Sequence, residues 1–149
     1  MRRAVPVLAA ALALSACVYP HQRFAACAER IPTQAAAWAE LTGGEAGRPV
    51  TATFKLCGRG SRMAALEAEA AGLQAQGFSV AKSRAEEVNH CWRAAKAIAR
   101  GAESIRPQLE AMCAAADRAG GLFASWSAVA GGRSLIGTSR SVSVTPLIL

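Results

Sequence analysis

The alternation of apolar and polar side chains is clearest over residues 50–57, VTATFKLC. Val50, Ala52, Phe54 and Leu56 point one way, and Thr51, Thr53, Lys55 and Cys57 the other. A period of two with one apolar side predicts a half-buried strand. Gly58-Arg59-Gly60 turns the chain, and Ser61 is placed to cap the next element. Residues 62–76 switch to helical spacing, with Met63, Leu66, Ala70 and Leu73 on one face and Glu67, Gln74 and Gln76 away from it. Gly77 is a natural stop, and Phe78-Ser79-Val80 opens a second strand. A second amphipathic helix runs over residues 103–119, on the stripe Ile105, Leu109, Met112, Cys113 and Ala116. Pro107 falls in its first turns, where proline is tolerated. Gly120-Gly121 ends it, and residues 122–129, LFASWSAV, read as a strand.

Upstream, residues 33–41, TQAAAWAEL, predict a short helix capped by Thr33 and stopped by Gly43-Gly44. Trp38 and Leu41, three apart, share one face of it. Residues 18–32 read as a tether, with Pro20 and Pro32 as breakers, and Gly43 to Pro49 as a turn-rich linker. Residues 131–149 start rich in Ser and Gly and end VSVTPLIL, a loose tail or a late edge strand.

Residues 91–100, CWRAAKAIAR, fit two templates. Alanine, arginine and lysine favour a helix, whereas Trp92, Ala94 and Ile98 share one side at period two. A strand here completes two strand-helix-strand units, which close a two-layer core; a long extra helix would not. The predicted fold is therefore α+β, a ferredoxin-like two-layer sandwich (βαββαβ) over residues 50–130 with an N-terminal helical segment. A chain of 149 residues holds one such domain. With 52% hydrophobic and 18% charged residues it is not a disordered chain. Much of the hydrophobic fraction is alanine, and the large aromatics are few (Phe 4, Trp 3, Tyr 1), so the core is thin. Trp92 and Trp126 read as its anchors, each able to bury about 150–250 Å².

The N-terminus changes the picture. Arg2 and Arg3 form a positive region, and Val5 to Leu14 a short apolar one, too short for the ~20 residues of a membrane span. The stretch closes Leu14-Ser15-Ala16-Cys17, which is similar to the lipobox of bacterial lipoproteins. A plain secretory site prefers a small third-last residue, and Leu14 fits that poorly. The resemblance implies a signal peptide over residues 1–16, a diacylglycerol group on the Cys17 sulfur and an acylated Cys17 amine. Two or three chains, at ~0.8 kcal/mol per buried methylene, give stable anchoring. Val18 follows Cys17, where an aspartate would resemble an inner-membrane retention signal. Outer-membrane sorting, facing the periplasm, is then expected in a Gram-negative host. Residues 17–49 become the tether and short helix of the mature chain.

The formal charge is +7, and loss of Arg2 and Arg3 lowers it by two to +5. The basic residues are spread from Arg23 to Arg140 without a run or a stripe interleaved with aromatics, so no nucleic-acid partner is expected. A solvated basic surface also favours anionic head groups. Cys27, Cys57, Cys91 and Cys113 remain after processing, an even number that points to disulfides in an exported domain. Their separations of 30, 34 and 22 residues are unlike the close pairs of zinc sites, and no metal or cofactor is expected. His90 beside Cys91 is the one Cys/His juxtaposition, and neighbours in a strand point to opposite faces. Asp117 is the only aspartate and has no paired carboxylate in sight for acid–base work. No catalytic residue is assigned.

From residue 50 onward the chain resembles the regulator of ribonuclease activity B family. The features that carry this are the alanine-rich helix ending Gln76-Gly77-Phe78-Ser79-Val80, Trp92, the helix closing Arg118-Ala119-Gly120-Gly121, and Phe123 and Trp126 after it. Ala124-Ser125 replace the Asp-Gly usual in that family. The resemblance covers about half of the chain and implies the ferredoxin-like fold. It also implies, as one functional alternative, inhibition of an endoribonuclease by direct binding.

In a ferredoxin-like sheet the first and third strands are antiparallel neighbours. Cys57 ends the first and Cys91 begins the third, both with side chains turned from the helices. A Cys57–Cys91 disulfide on the open face is expected, leaving Cys27 to pair with Cys113. The function these readings predict is a membrane-anchored, exported, non-enzymatic interaction module of the cell envelope, held by lipid on Cys17 and serving an unidentified envelope protein.

Overall fold

The computed structural model describes residues 26–43, 46–83 and 89–148. The lipobox, with Cys17, lies outside these. The described chain is α+β, with helices on one face of a six-stranded antiparallel sheet. In chain order the elements are α1 (Ile31–Thr42), β1 (Val50–Arg59), a 3-10 turn (Gly60–Arg62), α2 (Met63–Ala75), β2 (Ser79–Lys82), β3 (Asn89–Ile98), α3 (Ala102–Ala119), β4 (Leu122–Ala130), β5 (Arg133–Thr138) and β6 (Val142–Pro146). The sheet order is β2-β3-β1-β4-β5-β6. Residues 91–98 are strand, against their helix propensity. Lys96 explains part of that ambiguity. It sits opposite Ala52, on the core side of β3. Its stem runs past the Phe78 ring, with Nζ 5.0 Å from the centroid, and Nζ donates to the Gln76 carbonyl at 2.9 Å. A cation at the C-terminal end of α2 meets the negative end of that helix.

The core lies between the helices and the face carrying Phe54. Phe54 stacks on Trp126 (centroids 5.8 Å, planes 10° apart) and meets Phe123 and Phe78 at 6.0 and 6.1 Å. Trp126 in turn meets Trp38 of α1 at 6.1 Å. This chain of rings links α1 to β2 through an otherwise small-residue interior. Each such pair adds about 0.5–1.5 kcal/mol beyond area burial. Trp126 is the anchor expected; Trp92 is only partly buried at the core's margin.

Of the two readings of the C-terminal segment, loose tail or late edge strand, the strand holds, and it is preceded by a further strand that the sequence did not announce. Residues 133–146 form a hairpin, β5 and β6, that widens the sheet from four strands to six. Leu135 faces the core opposite Ala128 and is fully buried, with Val144 beside it. Helix α1 packs over this extension and against α3. The tether reading is corrected. Residues 26–29 are already helical, and Pro32 sits in the first turn of α1, where its missing N–H costs nothing. The residue preceding α1 is Arg30, so Thr33 is not its cap; likewise Ser61 lies in the 3-10 turn and Arg62 precedes α2.

The Gly120-Gly121 stop divides two tasks. Gly120 ends α3 in the left-handed region, at φ 63°. Gly121 lets α3 approach β1, since a Cβ there would lie 2.6 Å from the Cys57 carbonyl oxygen.

Candidate functional site

The four described cysteines form two disulfides. Cys57 and Cys91 are directly opposed in the β1–β3 register, with α-carbons 4.1 Å apart. Cys27, in the helical turn before α1, bonds to Cys113 of α3, with α-carbons 5.8 Å apart. Both pairings match the sequence expectation, but the setting of the first differs. Cys57 and Cys91 are 8% and 2% exposed, so that end of the sheet is not open. Their sulfurs lie on the face away from the core cluster. The Cys91 sulfur is bonded and offers no thiolate for His90 to activate. Among the described residues, no three His, Cys, Asp or Glu side chains converge as a metal site. Nor is any helix there long and apolar enough to cross a membrane.

Two surfaces remain as candidates. The first is the sheet face opposite the helices. Thr51, Ser127 and Ala97 are exposed there, and Val129 (59%) and Ile136 (54%) lie on neighbouring strands. Lys55 and Arg93 are directly opposed on this face, adding positive charge. A depression of about 470 Å³ runs from this face to Arg100, whose guanidinium is spent on the fold. It donates through Nε to the Arg48 carbonyl at 2.9 Å and through Nη1 to that of Thr42 at 2.6 Å.

The second is a cleft of about 870 Å³ where the start of α1, the end of α3 and the β1–α2 turn meet. The Cys27–Cys113 disulfide forms part of its wall, and Arg30, Arg59 and Arg62 line it with Asp117 as the one carboxylate. The position of Arg30 is fixed by its neighbours. Its N–H donates to the Cys27 carbonyl at 3.3 Å, its carbonyl accepts from Gln34 N at 3.1 Å, and Cys27 is tied to α3. Arg30 Nη1 is buried without a hydrogen-bond partner. Arg62 lies over the end of α3, its Nε 3.2 Å from where a Gly120 Cβ would stand. The sequence reading missed this cluster. Its members are 29 and 3 residues apart in sequence, and only the packing of α1 on α3 brings Arg30 to the turn after β1. No short-range pattern carries that signal.

Comparison of the chain with protein-family models, with curated proteins and with solved structures returns no match.

Proposed function

We propose that this chain is an exported lipoprotein, anchored through Cys17, that serves as a non-enzymatic protein-interaction module of the cell envelope. The observation that carries the reading is the pairing of all four cysteines downstream of Cys17. Disulfides form and persist in oxidising compartments such as the periplasm, and are rare in the cytosol. The signal-like residues 1–16 and the lipobox-like Leu14-Ser15-Ala16-Cys17 agree with that compartment. For residues 50–130 we propose a ferredoxin-like domain. The order β2-β3-β1-β4 supports it, with α2 joining β1 to β2 and α3 joining β3 to β4. The hairpin β5–β6 and helix α1 are additions to that domain. The face opposite the helices, with Val129 and Ile136 exposed on adjacent strands, is the surface such a module presents. An endoribonuclease inhibitor would work in the cytosol, where two structural disulfides are out of place.

The test is Cys17→Ser, expressed in the native host and followed by fractionation and an alkaline wash. The wild-type chain stays with the membranes; the variant is released or left unprocessed. A variant that is cut normally and still resists the wash would overturn the reading.

A further inference from the structure

The cleft at the end of α3 gathers more positive charge than its structure uses. Among the described residues, none of Arg30, Arg59 and Arg62 makes a side-chain hydrogen bond or ion pair, whereas Arg100, Arg118 and Arg133 each spend their guanidinium on a protein acceptor. Arg48, Arg93 and Arg140 also have no side-chain partner among the described residues, but they are exposed and share no cleft. Burying a guanidinium nitrogen without an acceptor is costly, because its hydration is lost and nothing replaces it. Arg30 Nη1 bears that cost, on a backbone held by the adjacent disulfide. Arg62 also faces the negative end of α3, which gives it a structural use; Arg30 and Arg59 have none such. Among the described residues lining the cleft, the one carboxylate, Asp117, does not balance three guanidinium groups.

We propose that this cleft binds a phosphate oxyanion, carried either by free phosphate or by a glycerophosphate head group. Guanidinium groups match phosphate oxygens in shape and charge, and they do so best where water is partly excluded. Ser139, which also lines the cleft, adds a hydroxyl that can donate to the same group. The site goes beyond the anchoring reading and does not depend on it.

The test uses the disulfide-bonded full chain in a non-ionic detergent at physiological ionic strength. It is titrated calorimetrically with inorganic phosphate and, separately, with glycerophosphoglycerol, the deacylated form of an anionic lipid head group. Saturable binding is expected for at least one probe, and the stronger of the two names the source. Arg30→Gln, and Arg59→Gln with Arg62→Gln, should each weaken it about tenfold or more, the size of one charge-assisted hydrogen bond. Arg93→Gln, on the exposed sheet face, should leave it unchanged. Arg59 and Arg62 are exposed, so the double variant keeps the fold, and thermal unfolding of each variant confirms it. No saturation by either probe up to about 10 mM, the weak end of specific affinity, would overturn the proposal. So would an Arg93→Gln effect as large as that of the cleft variants, because binding would then be diffuse charge attraction.

Discussion

At Gly137 the sheet has no room for a side chain. Gly137 is paired with Trp126, and a Cβ there would run into the indole Nε1 and its neighbouring carbons. The ring that stacks on Phe54 therefore rests on the bare backbone of β5. Gly137→Ala is expected to destabilise the protein by about 1–3 kcal/mol through overpacking. Gly72, inside α2, is the contrast. It is exposed, and a Cβ there meets nothing within 4 Å, so Gly72→Ala should stabilise by about 0.5–1 kcal/mol. Denaturant midpoints measure both, and equal shifts in the two variants would contradict this packing. Trp126 was legible as an anchor because a thin, alanine-rich core needs large pieces. Its dependence on Gly137 was not, since the glycine lies eleven residues away on a strand the sequence pattern left open. The same holds for Lys96, a charged residue on a core-facing position whose use depends on where α2 ends.

Helix α1 and the β5–β6 hairpin belong together as elements, although they stand at opposite ends of the described chain. The hairpin buries Leu135 and packs the partly buried Val142 and Val144 against the core beside α1, and α1 buries Trp38 toward the sheet. Trp38 is fully buried, and its Nε1 donates to the Ala99 carbonyl at 3.2 Å. Thr42 then closes the joint, donating to the Trp38 carbonyl at 2.8 Å and accepting from Gly101 N at 3.3 Å. Trp38→Ala should cost about 3–5 kcal/mol, the range of large aromatic truncations. Arg133 also reaches α1, with Nη2 2.7 Å from Glu40 Oε1, but Glu40 is well exposed. Arg133→Ala should cost under about 1 kcal/mol. If the two variants unfold at similar denaturant concentrations, the joint is not held by Trp38. Strand β1 and helices α2 and α3 were readable because each repeats one period over many residues, whereas β3 was readable as a strand only because it closes the two-layer core. The hairpin was not, because Gly131-Gly132 and the Ser-rich run that follows carry loop composition. Its alternation, Leu135 and Gly137 inward with Ile136 outward, has a glycine where a large apolar residue would have announced a strand.

Across the whole molecule the two disulfides act at different ranges. Cys57–Cys91 spans 34 residues within the sheet, and Cys27–Cys113 spans 86, joining the N-terminal turn to α3. In the chain-entropy account these closures contribute about 3–4 and about 4–5 kcal/mol respectively, by restricting the unfolded chain. The paired replacement Cys27→Ser with Cys113→Ser should therefore lower the denaturant midpoint more than Cys57→Ser with Cys91→Ser. A reversed order would show that local packing, not loop length, sets their worth. The Cys57–Cys91 pair followed from strand order and parity, which the alternating pattern makes readable. The arginine cleft did not, because it depends on how α1 is laid across α3. The proposed function requires export, a lipid on Cys17, and closure of the four downstream cysteines in an oxidising compartment. The intact, non-reduced mass of the protein extracted from host membranes tests this in one measurement. The predicted mass is that of a chain beginning at Cys17, increased by its acyl groups and reduced by the four hydrogens lost to two disulfides. An unacylated chain still beginning at Met1, with its cysteines as free thiols, would contradict it.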